Sequence, residues 1–316
     1  MNGLEYYSIT PGVVWVISIL IVFLVIVFIF LFVNKNEDKA DYKIAVLSDI
    51  HGNMTALEAV LADAKKEKVT HYWILGDLLM FGPGSEDLIQ QLKSLPNAII
   101  VKGEWDEDLI IAPELSFCKP VNVYIAMLSK YHRKHLSKTN FNFIRDLPSS
   151  KIVKSAGLDF LLCHHLPRKR FGNDLHPTGK QESFNLLLKE HQPDVAVYGH
   201  MHRQVMRYSS DGRLIINPGS IHVPVPTSDW EVACMNLNAQ YAIIEARKKV
   251  IKNVKFKRVD YKIEKEIALA KERKLPYLEL YEEALKTGHC YLNDNNKLKK
   301  INNKHGYQNE VISFFR

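Results

Sequence analysis

Asp49-Ile50-His51, Gly76-Asp77, Gly103-Glu104-Trp105-Asp106, Cys163-His164-His165 and Gly199-His200-Met201-His202 each set carboxylate or imidazole side chains at the end of a short apolar run. Together they supply enough nitrogen and oxygen donors for two neighbouring divalent cations. Mixed imidazole and carboxylate ligands suit Mn, Fe or Zn far better than Ca, and the absence of thiolate from the set argues against a structural zinc knot. Two such ions lower the pKa of a shared water and hold phosphoryl oxygens as charge builds, which is the outline of a phosphoester-cleaving site. No protein nucleophile is then needed, and the chain has neither a nucleophile elbow nor a P-loop lysine motif to compete for that role.

The elements that must position these residues are legible around them. Lys43 to Ser48, Thr70 to Leu75, Ala98 to Lys102, Leu158 to Cys163 and Asp194 to Tyr198 are β-branched or apolar runs too short for helices, and they read as buried strands. The candidate ligands then fall at the carboxyl ends of strands, where loops of an open α/β sheet converge. Helical spacing fills the gaps, over Asn53 to Lys66 with Asn53 as a cap and over Ser85 to Ser94.

With those motifs in order, the chain resembles the calcineurin-like metallophosphoesterases, in particular their small bacterial branch with phosphodiesterase or nucleotide-phosphatase members. The pattern runs through D-x-H at 49 to 51, GDLLMFGP at 76 to 83, GEWD at 103 to 106, His164, GHMH at 199 to 202 and NPGS at 217 to 220, and it covers about Tyr42 to Gly288. The resemblance implies an α/β fold of two packed mixed sheets flanked by helices in four layers. It implies that Asp49, His51 and His202 hold one metal, that His164 and His200 hold the second, and that Asp77 bridges them, with Asp49, Asp77, His164 and His200 central to catalysis. The implied cofactors are two divalent ions, Mn, Fe or Zn, and the implied substrate is an anionic phosphodiester or phosphomonoester, nucleotide-like, attacked by a metal-activated water.

Two positions depart from the pattern. At Glu104 the family normally has asparagine, which ligates the second metal and donates a hydrogen bond towards the phosphate. An ionised glutamate ligates but only accepts. With Asp49 and Asp77 it brings three carboxylates to a site whose two ions carry four positive charges. The alternative reading is a membrane-tethered metal-binding or regulatory module with weakened or lost catalysis. At Trp105 other branches carry a histidine that serves as general acid, a role the indole cannot fill, although tryptophan or cysteine is usual in the bacterial branch. His165 could reach phosphate or fill its loop. Arg168, Lys169 and Arg170 read either as a solvated surface or as an attraction for an anionic substrate. Asn217-Pro218-Gly219-Ser220 resembles the family's last substrate-side loop.

The front of the chain has another character. Residues 13–33 are apolar except for Ser18, and at about 1.5 Å per residue they span the roughly 30 Å of a bilayer core. They read as one transmembrane helix rather than a cleavable signal, because no basic residue precedes them and no small-x-small exit follows. Trp15, Tyr6 and Tyr7 fit an interfacial belt. Lys35, Lys39 and Lys43 follow the span, so the positive-inside rule puts residues 1–12 outside and the catalytic domain in the cytoplasm. The expected organisation is a single-pass protein of the cell membrane, with a linker at 34–41, a catalytic domain at 42–288 and a mobile tail at 289–316.

Composition agrees with one intracellular domain. Four scattered cysteines form no C-x-x-C pair and no disulfide framework. The formal net charge of +7 fits anionic lipid or a polyanionic substrate, and no aromatic-basic nucleic-acid-binding motif is evident. Helical patterns over Val121 to Leu136 and Asn140 to Leu147 interrupt the strands. Hairpins are expected for Val205 to Tyr208 with Leu214 to Ile216, and for Val232 to Leu237 with Tyr241 to Ala246 about Asn238-Ala239-Gln240. Helix returns from Ile263 to Lys286, broken at Pro276.

Overall fold

Among the described residues, two five-stranded sheets lie face to face because their strands alternate apolar residues to both sides. The computed structural model describes residues 15, 18–28, 42–169, 171–223 and 237–316. The first sheet contains β1 (Tyr42–Leu47), β2 (His71–Ile74), β3 (Ala98–Ile100), β9 (Ala239–Arg247) and β10 (Val250–Val259), in the order β10-β9-β1-β2-β3. The second contains β4 (Ser150–Ser155), β5 (Leu158–Cys163), β6 (Val195–Tyr198), β7 (Gln204–Tyr208) and β8 (Leu214–Pro218), in the order β4-β5-β6-β8-β7. Both are mixed: β1, β2 and β3 run parallel, as do β5, β6 and β8, while β9, β10, β4 and β7 pair antiparallel.

Period-two packing is plain in β1, where Ile44 and Val46 join Trp73, Phe160, Val197 and Ile244 between the sheets. Ala45 and Leu47 point the other way, into a core with the helices. That outer layer is built from α1 (Met54–Lys66), α2 (Glu86–Ser94), α3 (Glu104–Ile111), α4 (Pro120–His135) and α5 (Lys138–Asp146). On the far face, α6 (Gln181–Lys189) puts Phe184, Leu187 and Leu188 against Leu161, Ala196 and Ile215. The expected two-sheet, helix-flanked architecture is therefore present. Local chemistry agrees with it: the Asn53 side chain accepts from Ala56 N at 3.0 Å and caps α1, whose last turn carries Lys65 and Lys66.

Three expectations need revision or fall outside view. The second hairpin is β9 with β10, turning at Lys248-Lys249, and Ala239 and Gln240 belong to β9 instead of a turn. Residues 232–236 lie outside the described residues. The segment from 289, expected to be mobile, forms α9 (Asn295–His305) and α10 (Tyr307–Phe315), after α7 (Ile263–Glu272) and α8 (Leu278–Thr287). Its Asn and Lys-rich composition conceals enough apolar residues for docking: Leu298 and Val311 are fully buried, Asn302 donates to Pro120 O at 3.1 Å, and Lys130 meets Glu310 at 2.6 Å. Both helices pack on α4.

Of the predicted membrane span 13–33, only Trp15 and residues 18–28 are described, as helix. Among the described residues no helix is long and apolar enough to cross a membrane. Residues 1–12 and the linker 34–41 lie outside the described residues, as does Arg170.

Candidate metal centre

Each predicted ligand leaves a strand at its carboxyl end. Asp49 and His51 follow β1, Asp77 follows β2, Glu104 opens α3 after β3, His164 follows β5, and His200 and His202 follow β6. Five of the seven sit in the left-handed region, with φ of 53° at Asp49, 48° at His51, 55° at Asp77, 67° at His200 and 50° at His202. For residues with a side chain this conformation is costly, on the order of 1 kcal/mol or more each, and such costs collect where geometry serves a site. Loop-to-loop hydrogen bonds hold it: Asp49 N to Gly76 O at 3.1 Å, His51 N to Asp77 O at 2.9 Å, Gly199 N to His164 O at 3.0 Å and His200 N to Asp49 Oδ2 at 3.1 Å.

The side chains gather in two groups that meet. Asp49, His51 and His202 form one, Glu104, His164 and His200 form the other, and Asp49, Asp77 and His164 join them. His202 Nε2 is 3.1 Å from His51 Nε2 and 3.3 Å from Asp49 Oδ1. Asp77 Oδ2 lies between the groups, 3.7 Å from His51 Nε2 and 3.1 Å from His164 Nε2. Glu104 reaches His164 Nε2 with Oε2 at 2.7 Å and His200 Nδ1 with Oε1 at 2.6 Å.

Backbone carbonyls decide which imidazole nitrogen faces inward. His164 Nδ1 donates to Leu75 O and His202 Nδ1 to Val223 O, both at 2.6 Å, and His51 Nδ1 donates to Met80 O. Their Nε2 atoms are left as lone-pair donors towards the centre. His200 is reversed: Nε2 donates to Gly172 O at 3.0 Å and Nδ1 faces Glu104. Asp49 Oδ1, Glu104 Oε2 and His164 Nε2 are buried without a hydrogen-bond partner among the described residues. Converging ligand atoms with unspent lone pairs are what a cation would satisfy, so the donor set fits divalent metals.

The electrostatics agree. At Asp49 burial opposes ionisation, but His202, His164 and His51 outweigh it and hold the carboxyl well below the usual range. Glu104 is likewise held down, against burial, by His164 and His200. Burial and the charge of Glu104 push Asp77 up, while His164, despite burial, is raised by Asp77 and Glu104. Burial and His202 push His51 down to about 3. Asp77 and His164 are thus the groups that favour a proton, and a cation bound between them would displace it.

The supporting roles of several residues escaped the sequence reading. Asp106, at the third position of α3, accepts from Asp77 N at 2.8 Å, Leu78 N at 2.9 Å and Gly103 N at 2.9 Å. The Gly-x-x-Asp spacing at a helix start was the available clue. Gly103 and Gly199 are packing requirements: a Cβ on Gly103 would lie 2.1 Å from Asp77 Oδ1, and one on Gly199 would lie 2.1 Å from Ser48 Oγ. Buried His222 stands 5.7 Å from the His51 ring and stacks on Tyr281 at 5.4 Å. Tyr281 OH donates to Glu266 Oε1 at 3.0 Å, and Glu266 Oε2 accepts from Thr55 N at 2.8 Å. No sequence pattern announces this brace from α7 and α8.

The weaker candidates resolve as supports. His165 Nε2 donates to Gly172 O at 3.1 Å, the same carbonyl that holds His200, and its ring meets the His200 ring edge-on at 4.8 Å. Arg168 pairs with Glu190 at 2.9 Å and Lys169 with Asp174 at 2.6 Å, so much of the basic cluster is neutralised. Lys102, Glu104, His165 and Lys169 line a cavity of about 400 Å³ beside the second ligand group. Trp105 packs on Phe81 at 4.4 Å and gives its backbone N–H to Asp77 Oδ1 at 2.9 Å. Asn217 donates to Gly199 O at 2.7 Å and Ser220 Oγ to Asp49 O at 3.0 Å, which makes the NPGS segment a brace for two ligand loops.

Residues 42–240 match the calcineurin-like phosphoesterase superfamily domain. An uncharacterized protein of Methanocaldococcus jannaschii is 25% identical over 241 residues, 66% of this chain and 92% of its own length. A metallophosphoesterase from Sphaerobacter thermophilus is similar in structure, with a TM-score of 0.58 at 25% identity over 79% of this chain and 100% of that one. A hypothetical protein from Pyrococcus horikoshii OT3 shares the fold, with a TM-score of 0.63 at 20% identity over 77% of this chain and 97% of that one. The chain belongs to the calcineurin-like phosphoesterase superfamily. It is a metal-dependent phosphoesterase.

Proposed function

We propose that the chain is a membrane-anchored phosphoesterase with two divalent ions, Mn, Fe or Zn, which hydrolyses an anionic phosphodiester or phosphomonoester of nucleotide type. The observation that carries the two-metal reading is the pair of ligand groups, Asp49-His51-His202 and Glu104-His164-His200, joined through Asp77. Two bound cations supply an activated water and a positive clamp for the phosphoryl oxygens. The protein's own part is positional. Asp49, His51 and His202 hold the first ion, Glu104, His164 and His200 hold the second, and Asp77 serves both. The backbone carbonyls of Leu75, Met80, Val223 and Gly172 fix the imidazoles in the tautomers this requires. Trp105 packs on Phe81 and offers no titratable proton, so the reading favours substrates with a good leaving group.

The anchor rests on residues 13–33, of which the described helical part, 18–28, exposes Ile19, Leu20, Phe23, Leu24 and Phe28. Lys35, Lys39 and Lys43 favour a cytoplasmic domain. Elemental analysis of the full chain reconstituted with Mn, followed by turnover of cyclic nucleotides, dinucleotides and aryl phosphates, tests the chemistry. Two bound ions with hydrolysis support the proposal. Two ions without turnover on any substrate would favour the regulatory module that Glu104 suggests. Retention in the membrane pellet after alkaline extraction, with the domain protected from protease added to intact cells, tests anchor and orientation.

A further inference from the structure

The strand ends opposite the metal centre form a basic face. β1 and β2 are parallel, with Ile44 beside His71, so the connection from α1 into β2 lies at the amino ends of the strands, where Lys65, Lys66 and Lys68 are exposed. The β9-β10 turn lies at the same end, since Tyr42 pairs with Ala246 and Ala246 with Ile251. It exposes Lys248, Lys249 and, further on, Lys252, with Val250 46% exposed among them. Among the described residues none of these six lysines makes an ion pair. Most of the acids nearby are committed elsewhere, Glu67 to Lys43, Lys255 and Lys257, Glu245 to Lys43, and Asp159 to Lys154, while exposed Asp194 accepts from Asp159 N at 2.8 Å.

Two details separate this face from an ordinary solvated surface. Lys248 and Lys249 have φ of 51° and 61°, a two-residue turn that Asn-Gly would occupy with far less strain, so backbone preference does not account for lysine there. The chain also enters the domain at this end. Residues 34–41 separate Tyr42 from the apolar 13–33 stretch, and eight residues reach at most about 27 Å.

We infer that this amino-end face docks on anionic lipid headgroups, leaving the metal centre, at the opposite strand ends, turned away from the bilayer and open to soluble substrate. The inference rests on the anchored reading above. The tether holds the lysines near the surface, where each basic residue strengthens attachment to an anionic membrane.

Lysine acylation footprinting of the full chain in nanodiscs tests it. Nanodiscs of phosphatidylcholine alone are compared with ones containing phosphatidylglycerol. With the anionic lipid, acylation of Lys65, Lys66, Lys68, Lys248, Lys249 and Lys252 should slow about fivefold, the factor equivalent to roughly 1 kcal/mol per lysine, while Lys138 and Lys180 keep their rates. High salt should restore the rates. In the Lys248→Glu/Lys249→Glu/Lys252→Glu variant, Lys65, Lys66 and Lys68 should react as they do on neutral lipid, with aryl phosphate hydrolysis unchanged. Equal footprints on the two lipids overturn the inference, as does protection by an RNA oligomer but not by anionic lipid. A chain that fails to enter nanodiscs refutes the anchor instead; free anionic vesicles then replace them, and absence of protection there refutes the docking face.

Discussion

Glu104 spans the two histidines of the second ligand group, with Oε1 2.6 Å from His200 Nδ1 and Oε2 2.7 Å from His164 Nε2. Each oxygen faces an imidazole nitrogen, and the residue sits at the amino terminus of α3, where a carboxylate is favoured. That is the geometry of a ligand fitted to its place. Glu104→Asn keeps one oxygen but turns the other position into a donor facing an imidazole. It should weaken the second ion's binding by about tenfold or more, the equivalent of roughly 1.4 kcal/mol, and leave the first ion in place. Metal titration by calorimetry reads this directly. A variant that binds both ions normally and turns over about tenfold faster would show that glutamate limits the wild-type enzyme.

Asp106 holds three backbone N–H groups, from Asp77, Leu78 and Gly103, and touches no candidate ligand atom in doing so. Burial pushes its carboxyl up to about 6 although those three donors pull it down. Asp106→Asn turns an amide NH₂ towards at least one of the donors. The expected loss is on the order of 2 kcal/mol in unfolding free energy, with weaker metal binding because the Asp77 loop loses its anchor. Urea unfolding with and without Mn checks both, and an unchanged midpoint would remove Asp106 from the architecture of the site.

Gly199 faces Ser48, whose buried Oγ has no hydrogen-bond partner among the described residues. A Cβ at Gly199 would lie 2.1 Å from that oxygen, 3.2 Å from His164 Nδ1 and 3.3 Å from Asp49 Oδ2. Gly199→Ala should therefore lower metal affinity and activity together. Ser48→Ala removes the closest obstruction and should be mild alone. The double variant should recover part of the loss, with a coupling above about 0.5 kcal/mol. Strict additivity would mean that the damage arises elsewhere in the loop.

The strand ends were legible because ligands follow apolar runs, and β5 falls at Leu158–Cys163 as read. β10 was not, because Val250 to Val259 alternates lysine and arginine with apolar residues and shows little mean hydropathy. α9 and α10 were hidden in the same way: Leu298, Ile301 and Val311 are few, yet placed on the faces that meet α4. The ligand residues carried their chemistry in their types, whereas His222, Tyr281 and Glu266 act through packing across distant segments, which a one-dimensional pattern does not record.

His132 supplies a pH test away from the metal centre. Its ring is fully buried in α4, Nε2 has no partner among the described residues, and Nδ1 is 3.4 Å from Ser85 Oγ. Burial, with a smaller effect from His135, pushes its pKa down to about 3 from an ordinary 6.5. A depressed histidine binds its proton more readily in the unfolded chain. Its neutral form therefore stabilises the fold above pH 6.5, and that contribution is lost as pH falls from 6.5 towards 3, at up to about 1.4 kcal/mol per unit. His51, His165 and His222 are depressed as well, so the comparison must be with a variant and not with wild type alone. His132→Leu should unfold in urea with a shallower loss between pH 7 and pH 5, gaining on wild type by on the order of 2 kcal/mol over that interval. Parallel stability curves for the two proteins would mean that His132 is hydrated or protonated in the native state.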